Sequence, residues 1–255
     1  MIVTVDVGNS NVKFGISNNN EWVALWRVHT DIGKTADEYW ILFDALIRGG
    51  GYRLEEVTRA VVSSVVPALS DTICSVVERL TGATPLRVSH LVKTGMDPDA
   101  KTPPEMGNDL LANAVAAFHA HRRPTIVVDF GTAHSFTALS ATGRVLGVAI
   151  APGINTAVRT LEQNTAQLPL VELEPPPQAL ARTTTHAIQA GVVYGYVGLV
   201  REVITRMGAE MESPPWVIAT GGMADVLAPI CDAVDEVRPW HTLEGLRILA
   251  ELNPG

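Results

Sequence analysis

The chain has 255 residues, 47% of them hydrophobic and 18% charged, with a net charge of −8 and a pI near 5.3. That much apolar material can bury a large core, as one big domain or two modest ones, and excludes a disordered chain. The acidic balance, with Arg122 and Arg123 an isolated basic pair, excludes the Lys/Arg-rich face of a nucleic-acid binder. It leaves nucleotide binding open, because backbone N–H groups and Mg²⁺ can hold phosphates locally.

Taken in chain order, Ile2–Val5 is a β-branched run ending at Asp6, and the chain resumes as Val12–Ile16 after Gly8-Asn9, which predicts a hairpin; Trp22–Val28 reads as a third strand. No basic and apolar leader precedes Ile2, so a cytoplasmic protein is expected. Thr35–Ile47 places apolar residues at helical spacing behind a Thr35-x-x-Glu38 start. Arg59–Val66 reads as a strand stopped by Pro67, Ser70–Thr81 as an amphipathic helix, and Leu86–Val88 as a short strand. Residues 93–104, with three prolines, predict a loop crossing between halves, and Glu105–Ala120 an Ala-rich helix suited to close packing.

The second half then repeats the first: Val5-Asp6-Val7-Gly8-Asn9 lies over Val128-Asp129-Phe130-Gly131-Thr132, an offset of 123 residues. A second strand, Ser135–Leu139, follows; alternation continues through Arg144–Ile150, and Pro152-Gly153 closes the unit. Leu168–Pro177 is Pro-rich and reads as a surface excursion. Thr184–Arg206 predicts a long apolar helix whose Gly191, Gly195 and Gly198 allow a neighbouring helix or a partner subunit to approach closely. Its uncharged run, Ala187–Val200, is shorter than the roughly 18 residues of a bilayer span, so no membrane partner is expected. Trp216–Ala219 is a last strand running into Thr220-Gly221-Gly222, and a final helix follows Leu243. The halves are expected at 1–115 and 116–255, with a nucleotide in the cleft between them.

The twin Asp-x-Gly turns carry the chemistry. Facing hairpins can grip a triphosphate: Gly removes the Cβ that would block approach, and turn N–H groups and small hydroxyls donate to phosphate oxygens. Asp6 and Asp129 would repel those phosphates unless a cation or water stands between, so both are expected to handle metal. Other motifs are decoys. Gly33-Lys34-Thr35 ends like a P-loop, but Val28 stands where its first glycine belongs, and Asp129-Phe130-Gly131 lacks the other protein-kinase signatures. Cys74 and Cys231, the only cysteines, have no metal spacing and read as reduced, buried thiols; His119, His121, His134 and His186 share no metal spacing, though His134 sits in the second turn. Asp109, at the head of the Ala-rich helix, is either a carboxylate favoured by the helix dipole or a general base for an acceptor hydroxyl. Gly221-Gly222 reads as an adenosine-side loop.

Together these stretches resemble the type III pantothenate kinases, coenzyme A pathway enzymes. The similarity runs through Asp6-Val7-Gly8-Asn9-Ser10, Ser63-Ser64-Val65-Val66-Pro67, Gly107-x-Asp109, Asp129-Phe130-Gly131-Thr132, Ala151-Pro152-Gly153, Ile188-Gln189-x-Gly191, Tyr194–Val200 and Ala219-Thr220-Gly221-Gly222. The resemblance implies an α/β fold of two tandem actin-like (ribonuclease H-like) ATPase domains with a duplicated β-hairpin phosphate motif. It also implies a homodimer that moves the γ-phosphoryl of ATP to pantothenate, giving 4′-phosphopantothenate, with Mg²⁺ and a monovalent cation, K⁺ or NH₄⁺. By position, Asp109 is similar to the family's proton acceptor, Asp129 to its monovalent-cation ligand, and Asp6 to a Mg²⁺ contact through water. Asp6, Val7, Gly8, Asn9, Ser10, Asn11, Val12, Lys13, Gly131, Thr132, Gly221 and Gly222 stand at positions of the family's ATP side, and Ala100, Gly107, Asn108, Asp109, Leu110 and Thr184 at positions of its acceptor side.

Departures fall mainly on the acceptor side. Leu110 stands where the family's Gly-x-Asp-Arg carries arginine, and Ala100-Lys101-Thr102-Pro103 replaces Tyr-x-Asn-Pro. Losing a charge-assisted partner for a desolvated carboxylate costs roughly 1.5–3 kcal/mol. His134-Ser135 replaces a pair of threonines and brings an expected titratable ring beside the phosphates. A paralogous kinase for another small hydroxylated compound, or a non-catalytic nucleotide-binding regulator, therefore stays open, although retention of Asp6, Asp109 and Asp129 speaks against the regulator.

Overall fold

The computed structural model describes residues 1–54, 56–97 and 103–254. The first strands are β1 (Ile2–Val7), β2 (Asn11–Asn18) and β3 (Glu21–His29), followed by α1 (Ala36–Gly49), β4 (Arg59–Ser64), α2 (Pro67–Thr81), β5 (Leu86–Arg87) and α3 (Asn108–His121). The same succession then recurs as β6 (Thr125–Phe130), β7 (Ala133–Leu139), β8 (Val145–Pro152), α4 (Ile154–Asn164), α5 (Thr184–Gln189), α6 (Gly195–Ala209), β9 (Trp216–Thr220), α7 (Ala224–Leu227), β10 (Glu236–Val237) and α8 (His241–Leu252).

The chain divides into two compact units: Met1–Ala116 together with the stretch from His241, and Ala117–Trp240. Each contains a five-stranded sheet. The orders, β3-β2-β1-β4-β5 and β8-β7-β6-β9-β10, are the same sheet built twice. In each, three consecutive strands pair antiparallel and two later ones join in parallel after a helical crossover. Val3, Val5, Phe14, Ile16, Phe43 and Ile73 form the heart of the first core, with Phe14 stacked on Phe43 at 5.2 Å. Ile126, Val128, Phe136, Val193, Val200 and Val217 form that of the second. Each such fully buried side chain stabilises its unit by ~1.5–3 kcal/mol.

Local signals explain most boundaries. The capping box of α1 forms as its sequence implies: Glu38 N–H donates to Thr35 Oγ1 at 3.4 Å and Thr35 N–H to Glu38 Oε2 at 2.8 Å. The strand expected to run to Val66 ends at Ser64, and Pro67 opens α2, three residues before the expected Ser70, because its fixed φ and missing N–H suit a first helical turn. The long second-unit helix is not uniform: a π-helical segment, Ala190–Tyr194, joins α5 to α6. The unbroken helical run Thr184–Ala209, 26 residues, is long and apolar enough to cross a bilayer. Ile188, Val193, Val197, Val200 and Ile204 instead place one of its faces in the second unit's core.

Two helices differ from the expectation. The α4 helix is an addition to the expectation: Ile154, Ala157, Val158 and Leu161 do keep an i, i+3, i+4, i+7 period, directly after the Pro152-Gly153 stop, and Ile154 and Val158 are its buried residues. The α8 helix, expected with the second half, belongs to the first unit. Gly245 lies so close to Ala112 of α3 that a Cβ would overlap the Ala112 carbonyl, and His241 Nε2 sits 3.1 Å from the Asn113 carbonyl oxygen. An apolar helix reads the same in sequence whichever sheet it covers.

Candidate active site

The first turn begins where β1 ends. Val7 pairs with Val12, leaving the four residues Gly8, Asn9, Ser10 and Asn11 between them. Gly8 N–H donates to Asn11 O at 3.0 Å, and Thr30, the residue after β3, fastens the turn from outside. Its N–H donates to Ser10 O at 3.0 Å and its hydroxyl to Gly8 O at 2.7 Å. Asn9 and Ser10 are left exposed at the tip. The register sets Asp6 opposite Lys13 on one side and Ser63 on the other. Its carboxylate is only 4% exposed; Lys13 Nζ lies 3.5 Å from Oδ2, and Ser63 Oγ donates to Oδ1 at 3.2 Å. A buried carboxylate needs such partners to offset its lost hydration.

The second turn is a shortened copy. Phe130 pairs with His134, so only Gly131, Thr132 and Ala133 lie between. The strand-end carboxylates meet different partners: Asp129 faces Ser135 and Thr220 where Asp6 faces Lys13 and Ser63. Asp129 is half-buried and has no lysine opposite it in the register. Gly221, with φ at +92°, follows β9; a Cβ there would overlap Asp129 Oδ1 and come within 2.7 Å of the Phe130 backbone, so no side chain fits. Gly221 thus packs against the Asp129 carboxylate, and Gly222 is exposed beside it.

The second turn is fastened by the chain that follows β8. Gly153 N–H donates to Thr132 O at 3.1 Å, and the Thr156 hydroxyl to the same oxygen at 3.1 Å. A Cβ on Gly153 would overlap that carbonyl. His134 does not present a titratable ring to phosphates as expected. It is fully buried, edge-on to Phe130 at 5.0 Å and Tyr196 at 5.2 Å, and accepts from Ile154 N–H through Nε2 at 3.3 Å. Burial lowers its pKa to about 4, so the ring is neutral near pH 7.

On the acceptor side, α3 opens with Asn108, whose Nδ2 donates to Ser64 O at 3.2 Å and so ties the helix start to the end of β4, next to Ser63. Asp109 is half-buried in the first helical turn, with Oδ1 accepting from Leu110 N–H at 2.8 Å. Gly107 O accepts from Leu111 N–H at 3.0 Å, and Leu110 is half-buried beside it. Thr184 stands exposed at the start of α5, which Thr183 caps by accepting from His186 N–H at 3.3 Å. Ala100 and Lys101 lie outside the described residues. The first unit therefore assembles Asp6, Lys13, Asn108 and Asp109 along the linked ends of β1, β4 and α3; the second assembles Asp129, Gly131, Thr132 and Gly221. Sequence reasoning passed over Thr30, and it singled out Ser63 and Gly153 only as parts of the family resemblance, without a role, because what they hold depends on strand register.

A sequence model of the type III pantothenate kinase family matches residues 2–206. The type III pantothenate kinase of Geobacter sulfurreducens is 44% identical over 99% of each chain, and that of Moorella thermoacetica is 43% identical over 99% of this chain and all of its own length. Among solved structures, the activator of 2-hydroxyisocaproyl-CoA dehydratase from Clostridium difficile, with bound ADPNP, superposes with a TM-score of 0.56 at 15% identity, covering 98% of this chain and 93% of that one. The fold is thus the actin-like ATPase fold, with its sheet built twice. With a family match over most of its length and relatives above 40% identity from end to end, the chain belongs to the type III pantothenate kinase family.

Proposed function

We propose that the protein transfers the γ-phosphoryl group of ATP to the hydroxyl of pantothenate, giving 4′-phosphopantothenate, the first step of coenzyme A biosynthesis. The observation that carries this reading is Asp109 at the head of α3, with its neighbour Asn108 bonded to the β4 end beside Asp6 and Ser63. In the transfer, an Asp109 carboxylate oxygen takes the acceptor's hydroxyl proton, the acceptor oxygen bonds to the γ-phosphorus, and the bond from that phosphorus to the β–γ bridging oxygen breaks to release ADP. The protein's contribution is positioning: the Gly8–Asn11 and Gly131–Ala133 turns hold phosphates, Gly107 to Leu110 and Thr184 hold the acceptor.

The residues fit the cations that the family resemblance implies. Mg²⁺ would be held largely by phosphate oxygens and waters, with Asp6 reached through water because Lys13 and Ser63 already engage its carboxylate. Asp129, half-exposed and with neutral hydroxyl residues opposite it, suits K⁺ or NH₄⁺. Such cations neutralise phosphate charge.

A homodimer is supported by apolar surface on the second unit. The edge strand β8 exposes Leu146, Val148 and Ile150 on one face, and a groove of about 430 Å³ is lined by Leu180, Ala187, Gly191 and Tyr194. Family membership and the acidic surface support a cytoplasmic enzyme without nucleic-acid or membrane partners. A panel assay tests the function: ADP release with pantothenate and with related hydroxy acids. Turnover with pantothenate is expected; turnover only with another hydroxy acid would assign the protein to a paralogous kinase, which Leu110 would favour, and ATP binding without any turnover would make it a regulator. Sedimentation at micromolar concentration tests the dimer.

A further inference from the structure

In each unit the chain leaves the third strand and turns back toward the phosphate turn, and the two residues that do so present backbone N–H groups that need acceptors. In the first unit they are Thr30 and Asp31: Thr30 N–H bonds Ser10 O, and Asp31 N–H bonds the Tyr39 hydroxyl oxygen at 2.9 Å. In the second they are Gly153 and Ile154: Gly153 N–H bonds Thr132 O, and Ile154 N–H bonds His134 Nε2. The second donor therefore meets a phenol from α1 in one copy and an imidazole from the hairpin in the other. The register places His134 where the first unit has Val12, a position with no polar atom to offer.

To accept from Ile154, Nε2 must be the unprotonated ring nitrogen, so the proton is on Nδ1. Nδ1 is buried and finds no hydrogen-bond partner among the described residues, an unmet donor that costs stability. Phe130 and Tyr196 wedge the ring from two sides, and Tyr196 is itself anchored by its hydroxyl donating to Pro152 O at 3.0 Å. The absence of room for a Cβ at Gly153 removes slack between this corner and the Thr132 carbonyl.

We propose that His134, as its neutral Nδ1–H tautomer, is a positioning residue for the second phosphate turn: it fixes the Gly153–Ile154 corner against the Thr132 carbonyl and thereby sets how Gly131 and Thr132 meet ATP. The proposal rests on reading that turn as an ATP contact. Ring nitrogen NMR on the wild-type full chain checks the tautomer with no variant; a buried Nδ1–H ring is expected, and an Nε2–H ring would overturn the proposal. His134→Leu, which keeps bulk but removes the acceptor, is expected to raise KM for ATP by about 5- to 15-fold while leaving KM for pantothenate within twofold, as loss of one positioning hydrogen bond would. His134→Gln, whose amide oxygen can accept from Ile154, should recover most of the loss. An unchanged ATP KM in His134→Leu, or equal rises in both KM values, would overturn it. Thr132→Val separates the two ideas: if that change and His134→Leu both leave ATP KM unaltered, the turn does not contact ATP; if only Thr132→Val raises it, the turn reading stands and the positioning role fails.

Discussion

In the first unit, the turn Gly8–Asn11 is held by Thr30 through both its N–H and its hydroxyl, and the strand-end carboxylate of Asp6 is buried between a lysine and a serine. In the second, a turn one residue shorter is held by a glycine N–H and the Thr156 hydroxyl, a buried histidine supports the corner behind it, and Asp129 is half-exposed with Ser135 and Thr220 opposite it in the register. The strand order is identical, and in both hairpins the carboxylate faces the second residue beyond the turn; that residue is Lys13 in the first and Ser135 in the second. The shorter turn sets which residue of β7 stands there, but β7 carries no lysine or arginine in any register, so the different surroundings of the two carboxylates lie in the residues of the second strand.

The largest expected effect tests whether acceptor chemistry belongs to the first unit alone. Asp109→Asn should lower kcat by about 10²- to 10⁴-fold with little change in the ATP KM. A comparable kcat loss from Asp129→Asn would break the division of roles. Next, Asp6→Asn leaves Lys13 without its buried counter-charge and should cost about 3–5 kcal/mol in denaturant unfolding, against less than about 1 kcal/mol for half-exposed Asp129→Asn. Equal costs would show that the two environments do not differ as described.

The third effect belongs to the second turn, since Val12 has no charge to change. Unfolded histidine takes up a proton near its ordinary pKa of 6.5, whereas folded His134 does so only at about 4. Between those values the unfolded chain binds more protons, so stability falls as pH drops through this window and is unaffected above it; the full loss is about 3 kcal/mol. Carboxylates held below their ordinary range, such as Glu236, add a slope of the same sign, so the measure is the difference: the fall from pH 7 to pH 4 in urea titrations should be smaller in His134→Leu by this amount. Smallest is Thr30→Val, which removes one hydroxyl bond to Gly8 and should cost about 1 kcal/mol with a modest rise in ATP KM. No change in either would mean that the Thr30 N–H alone holds the first turn.

The hairpins, the repeat and Asp109 at a helix start were legible because their signals are local: a β-branched run, a glycine turn, a polar residue before an apolar period. Register was not. The same five-residue motif surrounds Asp6 and Asp129, and nothing adjacent in sequence reveals that Lys13 or Ser135 will stand opposite. His134 read as a ring beside phosphates because its wedge, Tyr196, lies 62 positions later in the chain. Thr30 and Gly153 are likewise ordinary residues until a strand end brings them onto a turn. Acceptor recognition was least legible: Leu110 is placed, half-buried beside Asp109, but the preceding Ala100-Lys101-Thr102 stretch lies outside the described residues.

Because α8 completes the first unit, that unit is assembled from two stretches of chain, while the second is one continuous stretch, Ala117–Trp240. A ribosome therefore releases every residue of the later unit before it releases the last helix of the earlier one. The second unit can close on its own sequence as it emerges. The strands carrying Asp6 and Ser63 must wait, with the face that α8 will cover still open, until synthesis has passed His241. Order of synthesis and order of completion are thus reversed, and a stop codon just before His241 would spare the unit made last while crippling the one made first.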